Sequence, residues 1–170
     1  MRTVDERQID APPERVFAAA ADVERWPAIL PHYRWVRMLE RSAGTAPAMT
    51  APGMAAPGMT APDIVEMAAW RPFGPLRYPT WWVSEMLVDP AARRIRYRHI
   101  DGITRGMDVE WRVDAAGDGT HVTIVHEWEG PGWPLLRRPA AEWIIGPVFV
   151  HGIASRTLAG IAEAVAGHRP

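Results

Sequence analysis

Residues Arg93–Asp114 read RRIRYRHIDGITRGMDVEWRVD, and the alternation in this stretch decides the fold. In its first half Ile95, Tyr97 and His99 fall on one parity and Arg94, Arg96 and Arg98 on the other. In its second half Met107, Val109, Trp111 and Val113 oppose Asp108, Glu110 and Arg112. Alternate residues of a strand share a face, so the stretch predicts two strands, Arg93–Asp101 and Gly106–Asp114, turning at Asp101-Gly102. Their charged faces can lie side by side as cross-strand pairs, each worth about a few tenths of a kcal/mol. Their apolar faces must then point together into an interior.

Outward from this hairpin the same reading continues. His121–Glu129 places Val122, Ile124, His126 and Trp128 inward, and Thr80–Val88 places Trp82, Ser84 and Met86 inward. Asp63–Trp70 and Tyr33–Arg41 are further strands, and Thr3–Asp10 alternates weakly as a first one. The expected turns are Pro72-Phe73-Gly74-Pro75, Asp89-Pro90 and Ala116–Gly119. Asp10-Ala11-Pro12-Pro13 reads as a helix entry with Asp10 as cap, running to about Asp22. A short helix follows over Val23–Ile29. After a Gly/Pro-rich loop at 130–139, a last helix is expected from Pro147 to Ala166, with an apolar stripe of Phe149, Ile153, Leu158, Ile161 and Val165. Sequential strands on short turns predict an antiparallel meander, one face of which the last helix covers. The predicted class is α+β, in the order β-α-α-β6-α.

One segment departs from this pattern. Residues 46–62 repeat Ala-Pro-(Ala/Gly)-Met-(Thr/Ala), with a proline every fifth position that forbids a regular helix or a central strand. It reads as an expanded hairpin loop, with a methionine-rich binding loop as the alternative. The chain is therefore expected to be a single domain over 1–170 with an insertion at about 43–62.

Composition narrows the chemistry. A chain of 170 residues buries roughly 70% of its unfolded surface, enough for one core with apolar surface to spare. The net charge of -1 offers no field for phosphate backbones, so nucleic acid is not an expected partner. No apolar stretch reaches membrane-spanning length and the first ten residues are charged, so neither membrane insertion nor a signal peptide is expected. The cytoplasm is the expected location. The sequence holds no Cys and no Lys, and every one of its 19 basic residues is Arg. Thiolate, disulfide and Schiff-base chemistry are thereby removed; an arginine-only, Ala/Pro-rich composition also fits a GC-rich genome. Ser42, Ser84 and Ser155 are the only serines, and none sits in a G-x-S-x-G elbow. His121 and His126 are five apart and face opposite ways, so they do not form a metal pair. Neither a metal nor a cofactor is expected.

The predicted interior is polar for a core. It mixes Trp82, Trp111 and Trp128 with Tyr97, Ser84, His99 and His126. Aromatic walls with a few convergent polar groups are the profile of a small-molecule pocket. The alternative is a plain core in which backbone or buried water satisfies each polar group.

Ile9–Glu40, IDAPPERVFAAAADVERWPAILPHYRWVRMLE, resembles the START-like (SRPBCC) superfamily, in its polyketide cyclase/dehydrase and coenzyme Q-binding branch. The likeness rests on Asp10-Ala-Pro-Pro-Glu-Arg-Val-Phe17, Asp22–Pro27 and Pro31-His32-Tyr33, and on Ser155–Leu158 with Gly160-Ile161 in the last helix. It implies a helix-grip (START/Bet v 1-like) fold, a curved seven-stranded antiparallel sheet around a long C-terminal helix, with a cavity between them. In aromatase/cyclase members the cavity folds a poly-β-ketone chain and assists aldol closure and dehydration. Trp26, Tyr33, Trp82, Ser84 and Trp111 match cavity positions of those members. Met86 stands where a cyclase would place an arginine, which removes a fixed donor for a ketone or enolate oxygen.

Three functions follow as expectations. The first is binding of a small hydrophobic, aromatic or lipid-like molecule by Trp26, Tyr33, Trp82, Ser84, Met86, Tyr97, Trp111 and Trp128. The second is a polyketide aromatase/cyclase-dehydratase in which His99 or His126 is the base and Tyr33 and Ser84 hold carbonyl oxygens. The third is a regulator that binds a protein partner, with the repeat as contact surface. A homodimer is an open alternative to a monomer.

Overall fold

The computed structural model describes residues 1–42, 61–73, 76–130 and 150–167, with side chains omitted at 71–78. The Ala/Pro/Met repeat up to Thr60, the 130–139 loop beyond Gly130, and Pro147 and Phe149 lie outside the described residues. The elements are β1 (Arg2–Ile9), α1 (Pro13–Ala21), a 3₁₀ turn (Val23–Arg25), α2 (Trp26–Ile29), β2 (Tyr33–Glu40), β3 (Asp63–Phe73), β4 (Leu76–Asp89), β5 (Arg94–Gly102), β6 (Asp108–Ala116), β7 (Gly119–Glu127) and α3 (His151–Ala166). The strands form one antiparallel sheet in the order β1-β7-β6-β5-β4-β3-β2, the expected β-α-α-β6-α meander. No helix among the described residues is long and apolar enough to cross a membrane.

The β5–β6 pair shows why parity works here. Ile95, Tyr97, His99, Met107, Val109, Trp111 and Val113 are all buried. On the other face Arg96 lies opposite Glu110 and Arg98 opposite Asp108, with ion pairs of 3.1 and 3.0 Å. Register shifts at Tyr33/Trp35, Met38/Glu40 and Val83/Ser84 add the local twist that lets a meander curl. At the β4–β5 edge Gly102 has φ 92°, and a side chain there would run into the Trp81 carbonyl and Trp82. Only glycine meets both demands.

Two expectations are corrected. Asp10 does not cap α1: the N-cap is Pro12, no side chain caps the turn, and Pro13 begins the helix, so proline removes one donor instead of Asp10 satisfying it. The β3–β4 hairpin also runs past its expected ends, through Pro72 and Pro79, which pair with Arg77 and Trp70. Prolines are tolerated there because β2 reaches only to Ala69 on β3, and β5 only to Trp82 on β4. Beyond those points each strand has an open side that needs no ladder donor.

α3 lies across the concave face. Ala154, Thr157, Leu158, Ile161 and Val165 are its buried side, and Gly160 sits where Leu30 of the α2–β2 loop leaves no room for a side chain. The helix is pinned to the edge strand as well. Asp5 of β1, 3% exposed, accepts hydrogen bonds through Oδ1 from His151 Nδ1 and, at 3.4 Å, from Ser155 Oγ.

Candidate functional site

Between α3 and the sheet lies a cavity of about 70 Å³. Its walls come from α2 and β2 (Trp26, Tyr33), β3 and β4 (Met67, Trp82), β5 (Tyr97, His99), the β5–β6 loop (Thr104, Met107), β6 and β7 (Trp111, His126), and α3 (Ile153, Thr157). The aromatic rings form a continuous run. Trp111 meets Trp26 at 5.7 Å, Trp26 meets Tyr33 edge-on at 5.0 Å, Tyr33 meets Trp82 at 6.2 Å, and Trp82 stacks on His99 at 5.9 Å. Offset and edge-on contacts of this kind hold flat faces toward the space they enclose.

Local sequence sets each position. Trp26 opens α2, where Pro27 occupies the first turn, and its Nε1 donates to the Ala19 carbonyl at 3.2 Å. Tyr33 is the first residue of β2, swung inward before the register shift that turns Trp35 out. His99 is fixed by Thr104, whose Oγ1 lies 2.6 Å from its Nδ1, while its backbone brackets the loop through Met107 and Gly106. His126 is half-buried on β7, while His121 of the same strand faces outward, 3.7 Å from Glu6.

Of the residues expected at the site, Trp26, Tyr33, Trp82, Tyr97, His99, Trp111 and His126 come together around this space. Ser84, Met86 and Trp128 are buried but lie outside its lining. Trp128 instead ties the end of β7 to the β5–β6 loop and the start of the chain: its Nε1 donates to the Arg105 carbonyl at 3.0 Å, and its backbone pairs with Met1. Parity assigns a face, not a depth along it. Met67 and Thr157 are lining residues that sequence reading missed. Met67 carried a signal in the β3 alternation Val65-Met67-Ala69; Thr157 carried none.

Burial dominates the electrostatics of the site. Burial raises the Tyr97 phenol well above its ordinary value, and the neighbouring Tyr33 adds to this. Among the described residues, no arginine is in the lining. A second, outer cleft of about 350 Å³ lies beyond the wall, between Ile29–His32, Trp70 and the Arg156–Glu163 face of α3. His32 and Thr157 share the partition, joined at 3.0 Å. Burial, with Arg156 nearby, lowers the His32 pKa to about 4.

Comparison with known proteins agrees with this architecture. Residues 9–147 match the family described as polyketide cyclase / dehydrase and lipid transport. A curated relative, the actinorhodin polyketide synthase bifunctional cyclase/dehydratase of Streptomyces coelicolor, is 27% identical over 129 residues, or 75% of this chain. The matched part is 34% of that relative, so the chain corresponds to about a third of its length. Among solved structures, TTHA0849 from Thermus thermophilus superposes with TM-score 0.76 at 20% identity, covering 100% of both chains. The Zhui aromatase/cyclase from Streptomyces sp. R1128 superposes with TM-score 0.67 at 19% identity, covering 100% of this chain and 99% of that one. The fold is the START-like helix grip, and the chain belongs to the polyketide cyclase/dehydrase and lipid transport family.

Proposed function

We propose that this protein binds a small hydrophobic molecule with an aromatic or lipid-like body between α3 and the sheet. The run Trp111–Trp26–Tyr33–Trp82–His99 around an internal space is the observation that carries the reading. A core built only for stability would fill that space, since interiors pack to near crystal density. The space, about 70 Å³, is smaller than the ~150 Å³ engineered cavity that admits benzene. Ligand entry must therefore displace side chains, and Met67 and Met107 in the wall are unbranched and readily repacked. Titration with a panel of quinones, fatty acids and polycyclic aromatics should quench tryptophan fluorescence saturably. Trp111→Ala should remove most of that response. If no member of the panel saturates and mass spectrometry finds no co-purified molecule, the reading fails.

A second reading, a polyketide aromatase/cyclase-dehydratase, is favoured by the cyclase/dehydratase relative together with two histidines in the wall, His99 and His126. In that reading an imidazole takes the α-proton of a bound polyketone, and the enolate carbon attacks a ketone carbon to form the ring C–C bond. The new alkoxide is protonated, and loss of a further proton with the hydroxyl releases water. Tyr33 donates to a carbonyl oxygen. His126→Gln and His99→Gln would each reduce turnover of a poly-β-ketone substrate, and absence of turnover by the native protein leaves binding alone.

A further inference from the structure

The Tyr97 hydroxyl has no hydrogen-bond partner among the described residues, although it is fully enclosed and its ring forms part of the cavity wall. Buried polar groups without partners are rare, because each has surrendered water for nothing in return. Its cross-strand neighbours explain the lack: Met86 stands opposite on β4 and Val109 on β6, and neither side chain offers an acceptor oxygen. Tyr33 lies close enough to influence its ionisation. Trp26, Trp82 and Trp111 supply flat apolar walls around the same space, and among the described residues no Arg or Lys lines it to hold a carboxylate.

We propose that Tyr97 Oη is the donor that seats the carbonyl oxygen of a bound ligand, so that the cavity selects cyclic and aryl ketones, quinones included, over hydrocarbons and carboxylates of the same shape. The proposal rests on the ligand-binding reading above and gives it a chemical class. A phenol held in its neutral form keeps its proton across the physiological range and remains a donor there. The ketone oxygen gives that hydroxyl the partner the fold withholds, and the hydrocarbon skeleton takes the place of water against the tryptophans. A carboxylate in the same place would be a desolvated charge without a counter-ion.

The test uses the matched pair 1-tetralone and tetralin, with 2-naphthoate as the acid, against the full-length protein and its Tyr97→Phe variant. Tyr97→Phe is expected to weaken tetralone by about five- to tenfold, the loss of one hydrogen bond, while tetralin affinity stays within about twofold. Naphthoate should bind neither protein. The variant without ligand should melt no lower than wild type, since only an unpartnered hydroxyl has been removed. Equal loss of both probes, or no loss of either, overturns the proposal while leaving the binding site standing. A melting temperature several degrees lower in the free variant also overturns it, because the folded chain would then be satisfying the hydroxyl. If wild type binds neither probe, the ligand-binding reading falls and takes the proposal with it.

Discussion

His32 donates Nε2–H to Thr157 Oγ1 across 3.0 Å, and the direction follows from the next link. Thr157 uses its own proton on the Ile153 carbonyl at 2.9 Å, so its oxygen accepts from the imidazole. The bond is compatible with a neutral ring, and burial with the nearby Arg156 keeps the ring neutral down to about pH 4.

This makes acid lability a prediction with a definite sign. His32 binds a proton near 6.5 when unfolded and near 4 when folded, so in that window the unfolded state holds more protons. Stability therefore falls as pH drops from about 6.5 toward 4, by roughly 2 kcal/mol after discounting for partial exposure. His32→Gln keeps a donor for Thr157 and cannot titrate. Urea unfolding at pH 7 and 4.5 should show a smaller acid loss in the variant than in wild type, and an equal loss would count against the assignment.

Asp5 acts in the opposite sense. Burial raises its pKa from 3.8 despite the hydrogen bonds from His151 and Ser155, and its Oδ2 has no partner among the described residues. The folded state thus holds the proton more tightly than the unfolded state. Stability is fully present below 3.8 and declines as pH rises through the folded value. Asp5→Asn keeps an acceptor for His151 and Ser155 without the charge. The stability of the variant relative to wild type should therefore be greater at pH 7 than at pH 3.5, because only wild type must ionise the buried carboxyl between about those limits. A relative stability that falls as pH rises would show that the ionised carboxylate is favoured by the fold.

The parts of the structure legible in the sequence are those whose cause is local. Strand parity separates Tyr97 and His99 from Arg96 and Arg98 because alternation and burial agree over several residues. The Gly/Pro signals near Asp101-Gly102 and Gly117 mark real turns for the same reason. What escaped reading depends on distance or depth. His32 and Thr157 are 125 residues apart, and Asp5 meets His151 across 146; no spacing announces either pair. An aspartate on the inward parity of β1 even argues locally against burial. Ser84 and Met86 share a face with Trp82, yet of the three only Trp82 lines the cavity.

Gly119 predicts a backbone defect in place of a packing one. A β-carbon there would stand 2.5 Å from the Ile9 carbonyl oxygen, and Thr120 beside it pairs with Ile9 in the β1–β7 ladder. A main-chain oxygen in a sheet cannot rotate away, so Gly119→Ala must push the strands apart. The expected cost is about 1–3 kcal/mol or somewhat more, read as a lower urea midpoint with an unchanged slope. A neutral or stabilising effect would mean that β1 shifts freely at its end.

Met107→Ala tests the cavity by enlarging it. Met107 is 1% exposed, and its backbone bonds to Thr104 and His99 are indifferent to the side chain, so the loop that carries Thr104 should survive. Removing the thioether arm costs about 2–5 kcal/mol in lost burial and unfilled space. It also brings the cavity toward the size of ~150 Å³ that accepts benzene. A ligand that binds only the folded state stabilises it by mass action. Saturating benzene should therefore restore part of the lost melting temperature in Met107→Ala. It should restore none in Gly119→Ala, whose loss has nothing to do with empty space. Equal responses in the two variants would show that benzene acts elsewhere, and no response in either would show that the wall collapses into the gap left by the methionine.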